Sequence, residues 1–137
     1  MARIIAIDYG TKRVGLAVTD PLQLIASPLD TIHSKDILNY LTAYFKQEEV
    51  EAIVLGMPTR LDGSDTHSTQ HVVGFKRKLE KIFPNITLHL ADERYTSKLA
   101  FSAMIEGGLK KKARQNKELV DKLSATIILQ SFMNAKK

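Results

Sequence analysis

Cysteine is absent from the 137 residues, which excludes disulfides and any metal site built on thiolates. No stretch approaches the roughly 18 consecutive apolar residues that a membrane-spanning helix needs. The chain opens on Met1-Ala2-Arg3 and passes directly into an apolar, β-rich run. No hydrophobic segment precedes a small-residue cleavage site there, so a cytoplasmic protein without membrane association is the expectation. Internal repeats, low-complexity tracts and linker-like stretches are also missing, and one domain over residues 1–137 is the simplest organisation. The histidines, His33, His67, His71 and His89, have no zinc-like spacing with partners. His67 and His71 stand four apart, which reads as a solvated helix face rather than half of a metal site.

Cations, by contrast, are in excess: 20 Lys and Arg face 15 Asp and Glu, a net charge of +5, in a chain that is 44% apolar. The apolar share is ordinary for a globular protein. The charge excess suits either a lysine-rich solvated surface or a polyanion partner. Its placement along the chain favours nucleic acid, for reasons given below.

Residues 3–8 and 14–20 read as two strands joined by a turn at Gly10, hence antiparallel. Residues 24–33 read as a third strand, with Pro28 marking an irregular or edge position. Ser34 resembles an N-cap, and Ile37, Leu38, Leu41, Tyr44 and Phe45 then recur at helical spacing. Ala52-Ile53-Val54-Leu55-Gly56 is a continuous apolar run, as in a strand buried on both faces. A polar loop over 57–66, a helix over 67–83 and a strand over 86–90 follow. Residues 97–106 read as a helix stopped by Gly107-Gly108. A last helix begins near Asn116 and runs to about 133. The order β-β-β-α-β-α-β-α-α predicts an α/β fold. It has a mixed five-stranded sheet, antiparallel in its first strands, with helices on both faces.

Carboxylates stand at the ends of these elements. Asp8 closes the first strand, Asp92 and Glu93 follow the strand ending at Leu90, and Asp121 lies one turn into the last helix. A carboxylate at the tip of a buried strand is costly unless something charged answers it. If the strands are neighbours and the helix packs across them, Asp8, Glu93 and Asp121 meet at one edge of the sheet. Hard divalent cations take such oxygen ligands. Two of them about 4 Å apart activate a water and stabilise the leaving oxygen of a phosphodiester. Each position also has a plainer role. Asp8 caps its turn, Glu93 pairs with Arg94, Asp92 bonds within its loop, and Asp121 and Glu118 favour the first helical turn.

The cations keep company with the carboxylates. Lys12 and Arg13 share the turn with Asp8, and Arg94 and Lys98 flank Glu93. Lys110, Lys111, Lys112, Arg114 and Lys117 lead into the helix of Asp121. Such a cluster repels itself unless a polyanion neutralises it. A phosphate-binding rim around a metal site is one arrangement these residues fit; local charge pairs on a solvated surface are the other. Tyr9 and Tyr95 are placed to stack on a base or to pack in the core.

Four motifs together resemble the YqgF/RuvX family. They are Ile5-Ala6-Ile7-Asp8-Tyr9-Gly10-Thr11-Lys12-Arg13-Val14-Gly15-Leu16-Ala17, Gly56-Met57-Pro58 with Asp62-Gly63-Ser64, Asp92-Glu93-Arg94-Tyr95-Thr96-Ser97, and Val120-Asp121-Lys122-Leu123-Ser124-Ala125. The resemblance covers nearly the whole chain. It implies an RNase H-like fold and a Mg²⁺- or Mn²⁺-dependent nuclease that is Holliday-junction-resolvase-like. It further implies a role in maturing the 5′ end of pre-16S ribosomal RNA, with branched DNA as the alternative substrate. It places the catalytic, metal-holding carboxylates at Asp8, Glu93 and Asp121. Distant RuvC-type resolvases carry two aspartates three apart in the last helix; here Ser124 follows Asp121 at that distance. The fourth acidic ligand is thus open between Glu118 and Asp92. Nucleic-acid contacts are expected from Lys12, Arg13, Arg94, Lys110, Lys111, Lys112 and Arg114, in a monomer or homodimer.

Two other readings fit the same residues. Asp8-Tyr9-Gly10-Thr11 also looks like the phosphate loop of sugar kinases and actin-like ATPases, yet those need two lobes and this chain has one lobe's worth of residues. A non-catalytic RNA-binding scaffold would use the same basic surface without needing Asp8.

Overall fold

The computed structural model describes residues 2–10, 12–57, 67–92 and 117–136. Strand β1 (Arg3–Tyr9) is apolar at both odd and even positions, and both of its faces are covered. It occupies the middle of a five-stranded sheet of order β3-β2-β1-β4-β5. Strand β2 (Arg13–Thr19) returns antiparallel to β1, with Ile5 opposite Val18 and Asp8 opposite Gly15. Strand β3 (Ala26–His33) pairs antiparallel with β2 and forms one edge. Strands β4 (Val50–Met57) and β5 (Thr87–Asp92) extend the other side in parallel. The described helices are α1 (Ile37–Gln47), α2 (His67–Ile82) and α3 (Lys117–Lys136).

Strand alternation sorts the core into two layers. Ile5, Ile7, Val14, Leu16, Ile53 and Leu55 meet Ile37 and Leu41 of α1 and Val72, Phe75 and Leu79 of α2. On the opposite face Ile4, Ala6, Ala17, Ala52 and Val54 meet Ala125, Ile128, Leu129 and Met133 of α3. Three of those five sheet positions are alanine, so the larger aliphatic side chains of the second layer come mainly from the helix. The mixed sheet with helices on both faces is the architecture the sequence predicts. No described helix is long and apolar enough to cross a membrane.

Element boundaries moved for identifiable reasons. Strand β3 begins at Ala26 rather than 24, because the Asp20 carboxylate takes the N–H groups of Leu24 and Ile25, both at 2.8 Å. Its register shifts where Leu16 faces Asp30 and Ala17 faces Pro28, which leaves Leu29 as the extra residue of a bulge. Pro28 therefore sits on an edge strand beside an irregularity. Helix α1 is capped by Asp36, not Ser34, and without a side-chain cap bond. Ser34 instead donates its N–H to the Lys12 carbonyl at 3.0 Å, and Asp36 donates to the His33 carbonyl at 2.9 Å. Strand β5 runs on to Asp92, which pairs with Met57, so Asp92 is a strand residue and not part of a loop. The helix expected over 97–106 lies outside the described residues.

Candidate active site

The β1–β2 turn is built around one close approach. The Gly10 N–H donates to the Arg13 carbonyl at 2.9 Å. A Cβ on residue 10 would lie 2.5 Å from that same oxygen, so only glycine closes this turn without moving backbone. The Lys12 carbonyl is in turn tied to Ser34. The segment that follows Asp8 is thus fixed at both its neck and its tip.

Alternation then decides which way the site faces. Ile4 and Ala6 belong to the α3 layer, and Asp8 continues their parity onto that face, half-buried. On β2, Val14, Leu16 and Val18 belong to the other layer, so Arg13, Gly15 and Ala17 share the face of Asp8. Asp8 lies directly across from Gly15, with Arg13 its diagonal neighbour. Gly15 contributes no side chain beside the carboxylate. Gly15 lies within β2, as the strand expected over 14–20 requires. Asp8 and Arg13 both have interaction partners. Lys12 is exposed at the tip of the turn.

Tyr9 takes the opposite parity and stacks on Phe75 of α2, ring centroids 4.2 Å apart at 17°. Of its two expected roles, the structure gives it core packing. Asp121 lies in α3, four residues before Ala125 in the sequence. Glu118 is in the first turn of the same helix. Buried Ser124 stands three residues after Asp121. On β5, Ala91 packs into the α3 layer and His89 lies against Phe132, ring centroids 4.8 Å apart. That contact could not be anticipated, because a lone histidine in an apolar strand does not announce its neighbour. Glu93, Arg94, Lys110, Lys111, Lys112 and Arg114 lie outside the described residues, as does Tyr95. Among the described residues, no three His, Asp or Glu side chains cluster as a metal site.

The fold of the chain is similar to that of solved resolvases. The fowlpox virus resolvase, determined with Holliday junction DNA, aligns with a TM-score of 0.62 at 12% identity, covering 98% of each chain. RuvC of T. thermophilus, determined with a Holliday junction substrate, aligns at 0.58 and 18% identity, covering 99% of this chain and 96% of its own. The fold is that of the RNase H-like resolvases. A family model, "RuvX: Holliday junction resolvase", matches residues 2–135. A relative from Amoebophilus asiaticus, named "Putative pre-16S rRNA nuclease", is 55% identical over 100% of this chain and 97% of its own length. One of the same name from Christiangramia forsetii is 50% identical over 97% and 98%. The chain belongs to the RuvX family. Resolvase-like nucleases of this kind depend on a divalent metal ion.

Proposed function

We propose that this chain is a single-domain, metal-dependent nuclease that hydrolyses phosphodiester bonds during 5′-end processing of pre-16S ribosomal RNA. The observation that carries the reading is the placement of Asp8. It is a half-buried carboxylate at the carboxyl end of the central strand, on the face covered by the helix of Asp121. Full-length relatives named for the same activity support the substrate.

Asp8, Glu93 and Asp121 are assigned as the metal-holding, catalytic carboxylates. The donor chemistry fits Mg²⁺ or Mn²⁺, since carboxylate oxygens are hard ligands and nothing softer stands near Asp8 in the turn. Glu93 follows β5 directly in the sequence, and its assignment rests on the Asp92-Glu93-Arg94-Tyr95-Thr96-Ser97 motif. When bound, a divalent ion supplies a nucleophile at neutral pH and takes up charge at the leaving oxygen. Asp8 anchors the reacting end of the site through the rigid turn. Arg13, on the same face, orients a phosphate by its planar fork, and Lys12 adds an exposed positive charge. Arg94, Lys110, Lys111, Lys112 and Arg114 complete the phosphate-holding set, which positions the polymer without reading its bases.

Branched DNA is the second reading, favoured by the likeness to resolvases solved with junctions. Symmetric cutting of a junction calls for a homodimer, whereas end processing of RNA is open to a monomer. A cytoplasmic location goes with the RNA reading. A side-by-side cleavage assay with precursor rRNA and a synthetic four-way junction, each with Mg²⁺ and Mn²⁺, separates the two. Cleavage of the RNA alone is the expected result; paired symmetric cuts in the junction with the RNA intact would transfer the assignment to DNA.

A further inference from the structure

The end of the sheet farthest from Asp8 carries a second constructed surface. Antiparallel pairing puts the β2–β3 connection beside the start of β1, because Val18 lies opposite Ile5. Five residue steps along the strand lead from Arg3 to Asp8, roughly 17 Å at the usual rise. In this connection Leu22, Leu24 and Ile25 are 55%, 68% and 65% exposed. Isolated surface leucines are unremarkable, but three large aliphatic side chains within four positions form a patch.

The patch is held rigidly rather than left to collapse. The Asp20 carboxylate accepts N–H bonds from Leu22 at 3.2 Å and from Leu24 and Ile25 at 2.8 Å. The Asp20 carbonyl accepts the Gln23 N–H at 2.9 Å. Gln23 is held at φ 58, a left-handed conformation that costs a non-glycine residue about 1 kcal/mol. Its side-chain amide donates to the Ala2 carbonyl at 2.8 Å and to the Glu51 carboxylate. The loop therefore fixes its aliphatic side chains outward against their tendency to leave water.

The charge beside the patch runs against the charge of the chain. In a protein of net charge +5, Glu48, Glu49 and Glu51 stand together at the entry to β4. Glu51 reaches Gln23 of the loop, and the Glu49 carbonyl accepts the Arg3 N–H at 2.8 Å. Arg3 is engaged by Glu48 at 3.2 Å and by the Thr19 carbonyl at 2.9 Å, and Lys46 stands in the last turn of α1. Phosphodiesters and anionic membrane surfaces are repelled by such a border. A cationic polypeptide with aliphatic side chains is attracted by the carboxylates and anchored by the leucines.

We propose that this end of the sheet docks a basic protein segment bearing an apolar anchor, leaving the Asp8 turn free for nucleic acid. The inference goes beyond the nuclease assignment and stands independently of it. The probe is a fluorescein-labelled amphipathic peptide of leucine and lysine, titrated onto the full chain by anisotropy, with a leucine–glutamate peptide as control. The lysine peptide is expected to saturate one site. Leu22→Ser with Leu24→Ser, and separately Glu49→Gln with Glu51→Gln, should each weaken it by at least about tenfold. Lys12→Ala with Arg13→Ala should leave it unchanged. These exposed positions tolerate polar side chains, and unaltered thermal melts confirm that the variants fold. RNA cleavage by the Leu22→Ser/Leu24→Ser protein should equal that of the parent, which separates this surface from the nuclease site. Absence of saturable binding, equal binding by all variants, or binding of the glutamate peptide overturns the proposal. So does a dimer in sedimentation that Leu24→Ser abolishes, since the occupant would then be a second copy.

Discussion

Asp8 owes its setting to two neighbours with almost no side chain. Gly10 lets the turn close on the Arg13 carbonyl, and Gly15 lies opposite the carboxylate without adding bulk. Gly10→Ala forces a Cβ to within 2.5 Å of backbone oxygen, and about 1–3 kcal/mol of stability should be lost in urea unfolding. Unchanged stability would mean that the turn is looser than its hydrogen bond implies. Asp20 supports a test of a different kind. The Ile25 N–H foremost, then those of Leu24 and Leu22, hold its carboxyl below the ordinary 3.8, with desolvation opposing them. A carboxyl with a depressed folded pKa contributes stability above its unfolded value and loses it as pH falls through the folded one. Asp20→Asn should therefore melt below the parent at neutral pH, and the gap should narrow once pH drops below 3.8. A gap that stays constant through acid would show that ionisation is not what the loop uses.

At the scale of elements, the sequence disclosed the architecture through its periodicities. The apolar run over 52–56 reads as a strand covered on both faces, and β4 lies between β1 and β5 with core residues on both of its faces. The Gly10 turn identified an antiparallel pair, and Pro28 an irregular edge. What the pattern hid was set by hydrogen bonds made at a distance. Ser34 looks like a cap but spends its N–H on Lys12, so α1 starts later. Asp92 looks like a loop residue but is drawn into β5 by Met57. At the candidate site, the place of Asp8 at the end of the first strand was legible from the apolar run it closes, whereas its face and its separation from Asp121 depend on how the helices cover the sheet, which no local pattern encodes. Two layers on one sheet also make a prediction. Leu41→Ala in the α1–α2 layer and Leu129→Ala in the α3 layer both remove fully buried side chains. Each should cost about 2–5 kcal/mol in urea denaturation. A near-neutral Leu129→Ala would mean that α3 contributes little to holding the sheet.

At the scale of the whole molecule, the described charges differ between the two ends of the sheet, with Arg3 standing among the glutamates of the second. Lys12 and Arg13 stand at the Asp8 end, and Glu48, Glu49 and Glu51 at the other, in a chain of net charge +5. Nucleic-acid affinity should fall steeply with added salt, as counterions compete for the phosphates. Removing both turn cations, Lys12→Ala with Arg13→Ala, should lower the slope of log affinity against log salt by about 1 for each lost phosphate contact. An unchanged slope would place phosphate binding elsewhere on the surface.

If the carboxylate at the end of the middle strand serves chemistry and not folding, Asp8→Asn loses activity and keeps its stability. The most direct measurement compares the rate at which the parent and Asp8→Asn cut precursor rRNA with Mn²⁺ present, alongside their thermal melts. Loss of at least about a hundredfold in rate, with melting preserved, is the expected result for a carboxylate that holds the metal. Equal cutting by Asp8→Asn, or a parent that cuts nothing with Mn²⁺, would show that this carboxylate does not serve catalysis.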